Sequence, residues 1–293
     1  MDENKVAEKR WRVRVLTVAG ILLVAIIAGL ILVGSSGERE ETITETMKDG
    51  VLHEANKISL FGLEVNPGFL SALIVSGVLL TAAIIIRIFV IPRFRTVPGR
   101  FQLALETLVG YFDGLAGSHS HEHKNFVGGY VFSAGVYVFV GTVFELFGVP
   151  AVTSKGLPIS LPAPLADING AIAMGVLSYL VILGAGLIFN GGRGVLGVLK
   201  DFSLPVSMSF RLFGALLSGL LVTELVYYYV SLSYVLPVVV GVLFTLLHAL
   251  VQTYVLTMLV ATFYGEAAET KPKKAKKPKA KKAKKAEADA AQA

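Results

Sequence analysis

Long apolar runs separated by short polar stretches make up most of the chain. Six of these runs approach or exceed the ~20 residues that a helix needs to cross the hydrocarbon core of a bilayer, and they cover residues 13–33, 69–90, 126–149, 165–189, 203–230 and 235–264. This pattern predicts an all-α integral membrane protein with about six membrane-crossing helices. Only S-L-S-Y separates the last two runs, so we expect them to form a long antiparallel hairpin.

One further segment is helical in pattern but too polar to cross a membrane. Residues 100–117 have apolar positions at helical spacing and carry Arg100, Gln102, Glu106 and Asp113. Such a pattern is typical of a helix with one apolar and one polar face. We therefore predict an amphipathic helix on the cytoplasmic surface.

Clusters of basic residues fall on one side of this arrangement. They precede the first run, follow the second and fourth runs, and fill the C-terminal tail, as Lys5, Lys9, Arg10, Arg12, Arg14, Arg93, Arg95, Arg100, Arg193, Lys200 and ten lysines from Lys271 to Lys285. Because short loops rich in Lys and Arg stay in the cytoplasm, both termini are predicted to be cytoplasmic.

The first apolar run allows two interpretations. A signal peptide has the same basic flank, and the small residues of V-G-S-S-G at 33–37 permit cleavage. No A-x-A pattern accompanies them, which favours a retained anchor.

Shifts in composition divide the chain into four parts. Residues 1–37 are a basic flank and membrane anchor (or signal segment), 38–67 an external polar loop, 68–266 the membrane domain, and 267–293 a Lys-rich cytoplasmic tail. The tail has no large apolar residue to bury, so we expect it to be disordered and to be attracted to anionic lipid headgroups.

Several kinds of chemistry are excluded or weakly indicated. The chain is 54% hydrophobic and has no cysteine, which excludes disulfides and thiol catalysis. It has no P-loop sequence for ATP. The H-S-H-E-H stretch at 119–123 has alternating histidines that could bind a metal weakly, but a solvated loop is the favoured interpretation.

Arg211 is the most unusual residue inside the predicted hairpin. No acidic residue lies within nine positions of it on either side, and a charged group at bilayer depth costs at least ~2.5–3.5 kcal/mol on insertion scales. If the hairpin turn is centred between Ser231 and Leu232, Arg211 lies level with Gln252. The same count places His248 opposite Ala215.

Other polar residues share faces with these two. Thr245, His248 and Gln252 follow helical spacing on one helix, and Arg211, Ala215 and Ser218 do so on the other. Glu224 lies about 20 Å farther along the axis than Arg211, near the outer surface. A ladder of polar groups from the outer face to a permanent cation at mid-depth suits ion movement.

Five stretches in this chain resemble elements of one family. They are P-V-S-M-S-F-R-L-F-G at 205–214, V-P-G-R-F-Q-L-A-L-E at 97–106, F-E-L-F-G-V-P at 144–150, A-D-I-N at 166–169 and L-V-Q-T-Y-V-L-T-M-L at 250–259. Together they are similar to subunit a of rotary F-type ATP synthases, in the same order, and the resemblance extends from about Pro67 to Glu266.

This resemblance implies a function and a set of partners. It implies a non-catalytic stator subunit with two half-channels that carry H⁺ or Na⁺ to and from carboxylates of the c-ring, coupled to ATP synthesis. It implies no cofactor, and it implies the c-ring, b-type peripheral stalk subunits and the rest of the F1F0 complex as partners. Arg211 matches the stator arginine of the family and Gln252 the glutamine beside it.

The chain departs from the family pattern at three positions. Ala215 replaces the usual Asn, Leu220 the usual acidic residue or histidine, and Thr245 the usual partner residue. We expect Glu224 and His248, within one turn of the last two positions, to take over the outer half-channel. Further candidates are Glu145, Asp167, Asn169, Ser218 and Thr245 for the outer half-channel, and Ser203, Ser207 and Ser209 for the inner one.

Simpler roles remain open for these residues. Arg211 could snorkel, Gln252 and His248 could join helices by hydrogen bonds, Asp167 and Asn169 could cap a helix, and Glu145 and Glu224 could reach headgroup water. A different class of function is a stand-alone secondary transporter that binds an anionic substrate through Arg211. That class predicts internal repeats and broken helices, and neither is evident. An intramembrane hydrolase is disfavoured because G-x-S-x-G is lacking.

Overall fold

The computed structural model describes residues 57–60, 62–119, 124–154, 156, 158–228 and 236–269. Most of these residues belong to the helices α1 (Pro67–Ile85), α2 (Arg100–His119), α3 (Lys124–Phe144), α4 (Ile168–Leu199), α5 (Ser203–Tyr228) and α6 (Leu236–Ala268). The described chain is therefore mostly helical, as the apolar runs predict. The predicted turn of the α5–α6 hairpin, the first apolar run and the lysine tail lie outside the described residues.

Two short β-hairpins depart from a purely helical fold. Strands β1 (Ile58–Leu60) and β2 (Leu63–Val65) pair antiparallel, as do β3 (Pro150–Val152) and β4 (Pro158–Ser160). The amide of Ser154 donates to the carbonyl of Lys57 at 2.8 Å, which joins the two hairpins. Strands of three residues leave too short an alternation for a sequence pattern to reveal them.

Four helices in the described part of the chain are long and apolar enough to cross a membrane. They are Pro67–Arg93, Phe126–Phe147, Ile168–Leu199 and Gly241–Ala268. Helix α5 runs for 26 residues but is not one of these four, and α2 is not either. The predicted crossing at 13–33 is outside the described residues, so the described chain accounts for four of the six predicted crossings by this criterion.

Helix α1 starts at a strong local signal. The side chain of Asn66 accepts a hydrogen bond from the amide of Gly68 at 2.9 Å, and Pro67 occupies the first helical position. Both features stabilise a helix start, because they deal with amides that have no partner inside the helix. The helix continues through a π-helical turn at Ile86–Val90 to a 3-10 turn at Ile91–Arg93.

Helix α2 occupies the position of the predicted amphipathic helix. Phe112 and Ala116, one turn apart, are buried in the core, while Phe101 and Tyr111 are exposed. Its start is joined to the loop after the 3-10 turn at Ile91–Arg93 by Gln102, whose amide exchanges hydrogen bonds with both backbone groups of Arg95 at 2.9–3.0 Å.

Helix α4 is broken at Gly191, which corrects two expectations. The fourth apolar run was expected to end at Phe189 and to be followed by a loop, and broken helices were not expected. Gly191 has φ 60° and ψ −149°, a conformation that only glycine adopts readily. The helical segment after Gly191 folds back against the first part of α4. The hydrogen bond from the Tyr179 hydroxyl to the Val198 carbonyl, at 3.3 Å, shows this contact.

Close backbone contact stabilises this fold-back. A Cβ atom on Gly194 would collide with the carbonyl of Gly186, and one on Gly186 would lie 3.1 Å from the Gly194 carbonyl. Asn190, just before the break, donates to the carbonyls of Ala267 and Glu269 at 2.8 and 3.0 Å. It thereby satisfies carbonyls at the C-terminal end of α6 that lack partners within the helix.

The core lies between α2, α3, α4, α5 and α6. Helix α6 packs against α3, α4 and α5, and α4 packs against α5. Small residues allow close approach between helices, as membrane helix packing requires. On α4, Gly175 lies so close to Ser209 of α5 that a Cβ atom there would collide with the serine hydroxyl.

Candidate functional site

Arg211 and Gln252 are neighbours across the α5–α6 interface. The Gln252 amide Nε2 donates to the backbone carbonyl of Arg211 at 3.4 Å. Gln252 is buried, with 6% of its surface exposed. The two residues are therefore level with each other, as the depth count expects. The bond uses the backbone of Arg211 and leaves the guanidinium uninvolved.

The Arg211 side chain is exposed on the surface of α5. Its neighbours Leu212 and Met208 are buried at 1% and 2%, so the interior face of the helix lies on their side and the guanidinium lies away from it. No hydrogen bond or ion pair joins this guanidinium to another residue in the described ranges. Within the described ranges, the charge of Arg211 is thus not neutralised by another side chain.

His248 lies farther toward the hairpin turn than the depth count suggests. Its Nδ1 atom would be 3.6 Å from a Cβ atom on Gly219, one helical turn nearer the predicted hairpin turn than Ala215. The physical reason is that side chains on a helix lean toward its N-terminus, and the N-terminus of α6 is at the turn end. The imidazole also lies beside the Phe244 ring, with centroids 5.8 Å apart.

The other predicted outer residues are placed with less detail. The Ser218 hydroxyl is exposed and donates to the carbonyl of Ala215 at 2.8 Å, and Thr245 is half-buried. Glu224 lies on the helical backbone of α5, but its side chain is outside the described residues. Glu145 is half-buried at the start of a 3-10 turn that follows α3.

The three serines proposed for the inner half-channel differ in placement. Ser203 and Ser207 are exposed. Ser209 is buried at 7%, donates to the Pro205 carbonyl at 2.7 Å and packs on Gly175 of α4. Its hydroxyl is therefore used within the α4–α5 contact.

Asp167 caps the start of α4. One carboxylate oxygen accepts from the amide of Asn169 at 2.7 Å, and the side chain is buried. The Asp167 side chain also lies against the start of α1, since a Cβ atom on Gly68 would be 2.8 Å from the Asp167 Cβ and 3.2 Å from its Oδ2. Glycine at position 68 is what allows these two helix starts to meet.

A cavity of about 510 Å³ opens beside this cap. It lies between α1, α3 and α4, and its polar lining residues are Tyr130, Ser133, Tyr137, Asp167 and Asn169. Arg211, Gln252 and His248 do not line it. On α4 the lining residues Ala173 and Leu177 lie on a different side from Gly175, which faces α5, so α4 separates the cavity from the Arg211 region.

The tyrosines of this cavity were missed at the level of sequence. Tyr130, Ser133 and Tyr137 follow helical spacing within an apolar run, which is the signal that could have revealed them. The Tyr130 hydroxyl is 2.9 Å from the Ser178 hydroxyl of α4, and Tyr137 hydrogen-bonds Ser76 of α1. Both therefore join helices as well as lining the cavity. Metal binding by the H-S-H-E-H stretch concerns side chains outside the described residues.

Comparison with known proteins identifies a family, and the relatives it finds include a named subunit. A model of the ATP synthase A chain family matches residues 72–265, well over half of the chain. ATP synthase subunit a of Cereibacter sphaeroides (strain ATCC 17025 / ATH 2.4.3) is 29% identical over 184 residues, which cover 58% of this chain and 70% of the relative. Arg211, Gln252 and the cavity lie inside the matched region, whereas residues 13–33 and the lysine tail lie outside it.

Proposed function

The chain belongs to the ATP synthase A chain family, and on that premise we propose that it provides two half-channels for H⁺ or Na⁺ beside a rotating c-ring. Subunits of this family are non-catalytic and belong to the membrane-embedded F0 sector, which translocates ions; the catalytic sites lie in F1. The chain is thus an integral membrane protein of the F1F0 complex. One half-channel carries the ion to a ring carboxylate and the other carries it away. This transport is coupled to ATP synthesis.

The exposed guanidinium of Arg211 is the observation that carries this proposal. It has no partner in the described part of its own chain, so a ring carboxylate can approach it. At 4 Å and an effective dielectric constant of 20, opposite unit charges attract by about 4 kcal/mol. That attraction favours the ionised form of the ring carboxyl group, so the group releases its proton or Na⁺.

The permanence of the charge matters as much as its sign. An arginine side chain stays protonated in proteins, whereas a lysine can lose its proton when it is desolvated. A fixed positive charge between two aqueous half-channels repels cations and stops them from passing directly from one to the other. Gln252 holds the backbone of Arg211 at a defined depth.

The outer half-channel uses the hairpin residues nearer the turn. Glu224 and His248 carry the ion, and Ser218 and Thr245 line its way toward Arg211. His248 lies next to Gly219, which has no side chain to fill the space between the helices. Glu145 contributes at the outer end of α3, and Asp167 and Asn169 line an outer entrance while Asp167 caps α4.

The inner half-channel involves fewer residues than the sequence indicates. Ser203 and Ser207 are exposed at the start of α5 and line the cytoplasmic approach to Arg211. Ser209 serves the α4–α5 contact through its bond to Pro205.

The remaining partners follow from the position of the chain in the complex. We place b-type peripheral stalk subunits beside it and anionic lipid headgroups against the lysine tail, with both termini in the cytoplasm of a prokaryote. A stand-alone transporter that uses Arg211 for an anionic substrate predicts broken helices, and α4 is broken at Gly191. The match to the ATP synthase A chain family nevertheless favours the stator subunit.

Ion transport by the reconstituted complex tests the proposal. We expect Arg211→Ala to abolish ATP-driven ion uptake into vesicles while the amount of assembled complex is unchanged. Arg193→Ala removes another exposed arginine, at the break in α4, and should leave uptake near the wild-type rate. Uptake measured with and without Na⁺ identifies the ion. Full uptake in Arg211→Ala would refute the proposal.

A further inference from the structure

Helix α1 is held to the bundle along one side only. Its buried residues are Pro67, Gly68, Ser71 and Val75, all in its outer half. Only 6% of its most apolar stretch is buried, against 28% to 44% for the other three long apolar helices. Most of α1 therefore has no neighbour in the described chain.

The uncovered face of α1 lies opposite its bundle contacts. Within α1 it consists of Leu73, Gly77, Leu80, Thr81 and Ile84, which are all exposed and recur at the spacing of one helical face. Gly77 lies near the centre of this face, and a Cβ atom there would meet no other atom within 4 Å. Another helix could approach the backbone closely at this point.

We propose that this face of α1 is the docking site for the chain's own apolar segment, residues 13–33, which packs against it antiparallel. The segment is long and apolar enough to cross a bilayer, and its basic flank places its first residue at the cytoplasmic side. Its last residue is then at the outer side, where α1 begins. The segment lies outside the family match, which starts at residue 72, whereas the face of α1 lies inside it.

The connection between the two segments restricts where residues 13–33 can go. Residue 57, at the far end of the connection, is fixed by the bond from Ser154 to its carbonyl, and β1 and β2 lead directly from it into α1. A random coil as long as residues 34–56 has an end-to-end distance of roughly 26 Å. Tethering of this kind gives an effective concentration in the millimolar range.

The chemistry of the face suits a helix more than it suits a charged or polar partner. Every side chain on it is apolar except that of Thr81, whose hydroxyl already donates to the Gly77 carbonyl at 2.7 Å. In a bilayer, helices associate through close packing at small residues. Residues 13–33 contain Gly20, Ala25, Ala28 and Gly29. When the apolar runs 13–33 and 69–90 are aligned antiparallel at their midpoints, Ala25 lies level with Gly77 and Val78.

Disulfide formation in native membranes tests the contact, because the natural chain has no cysteine. A protease site is inserted between residues 38 and 56 so that a disulfide within one chain keeps two fragments joined on a non-reducing gel. Ala25→Cys is combined with Gly77→Cys, and in the control with Val78→Cys. Val78 is exposed at the same depth but lies about 100° away around the helix.

The two pairs should give different yields. We expect the Ala25/Gly77 pair to keep the two fragments joined in most chains. The Ala25/Val78 pair should form at least fivefold less of this product, since a disulfide requires Cα atoms within about 7 Å. If the Gly77 variant does not accumulate, Gly29→Cys with Leu73→Cys supplies the same comparison one turn farther out.

Four results of the cross-linking experiment would overturn the docking proposal. They are equal yields from both pairs, no product from either pair, a product of doubled mass that indicates a second copy, and an adduct with a different protein. An intact mass of the mature wild-type chain is measured first. A mass that lacks residues 1–33 would show that the segment is removed, and it would end the proposal while leaving the role of Arg211 unaffected.

Discussion

Asp167 at the start of α4 and Arg211 within α5 are two charged side chains of one membrane domain, and they differ in what binds them. Asp167 is buried, and its oxygen accepts a hydrogen bond from the backbone two residues on. Arg211 is exposed, and its guanidinium has no partner in the described chain. The contacts of Asp167 account for its presence as a helix cap, whereas no contact in the described part of the chain accounts for the charge of Arg211.

The largest expected effect comes from changing the permanence of the Arg211 charge. Arg211→Lys keeps a positive charge that can be lost on desolvation. We expect ATP-driven uptake to fall at least tenfold and passive ion leak through the vesicle membrane to rise at alkaline pH. Wild-type uptake without leak in Arg211→Lys would mean that any cation suffices, and the comparison with Asp167 would lose its meaning.

A smaller effect is expected at Gln252, which touches Arg211 only through the backbone. Gln252→Leu removes the bond to the Arg211 carbonyl, and interhelical hydrogen bonds in membranes contribute about 0.6–1.7 kcal/mol. Uptake per assembled complex should fall several-fold without reaching zero. Thr253→Val is the control, because Thr253 is adjacent and bonds α3 at 3.5 Å instead. An equal loss in both variants would show that helix packing, and not the depth of Arg211, is what matters.

The smallest effect on transport is expected at Asp167. Asp167→Ala removes the cap and should destabilise the assembled complex by about 1 kcal/mol, measured as a lower unfolding temperature in detergent. Asp167→Asn keeps an oxygen that can accept from the Asn169 amide, so it should restore most of that stability. Both variants should retain uptake per assembled complex within about twofold. Loss of uptake in a stable Asp167→Asn complex would instead show that the carboxylate itself carries the ion and does not only line the outer entrance.

The same two residues show what a sequence can reveal about this protein. The Arg211–Gln252 proximity follows from counting residues on each side of one turn, because two continuous helices keep a constant rise per residue. The cap at Asp167 follows from its position near the start of an apolar run, directly before the long apolar stretch that begins at Ile168. Both depend on local rules that tertiary contacts do not alter.

Features that depend on contacts between distant residues could not be predicted in this way. The glycines around position 191 read as a loop, since nothing local indicates that Gly186 and Gly194 will touch. Ser209 reads like Ser203 and Ser207 until Gly175 is brought against it. The side chain of Tyr137 belongs to a cavity only because α1 lies across α3 and α4.

A structure of the assembled complex in a bilayer tests the central claim most directly, through the distance from the Arg211 guanidinium to the nearest acidic side chain of the ring. We expect this distance to lie within about 6 Å, the range in which opposite charges shift ionisation, with no carboxylate of the same chain closer. A guanidinium turned into the helix bundle, with all its hydrogen bonds to its own chain, would contradict the claim.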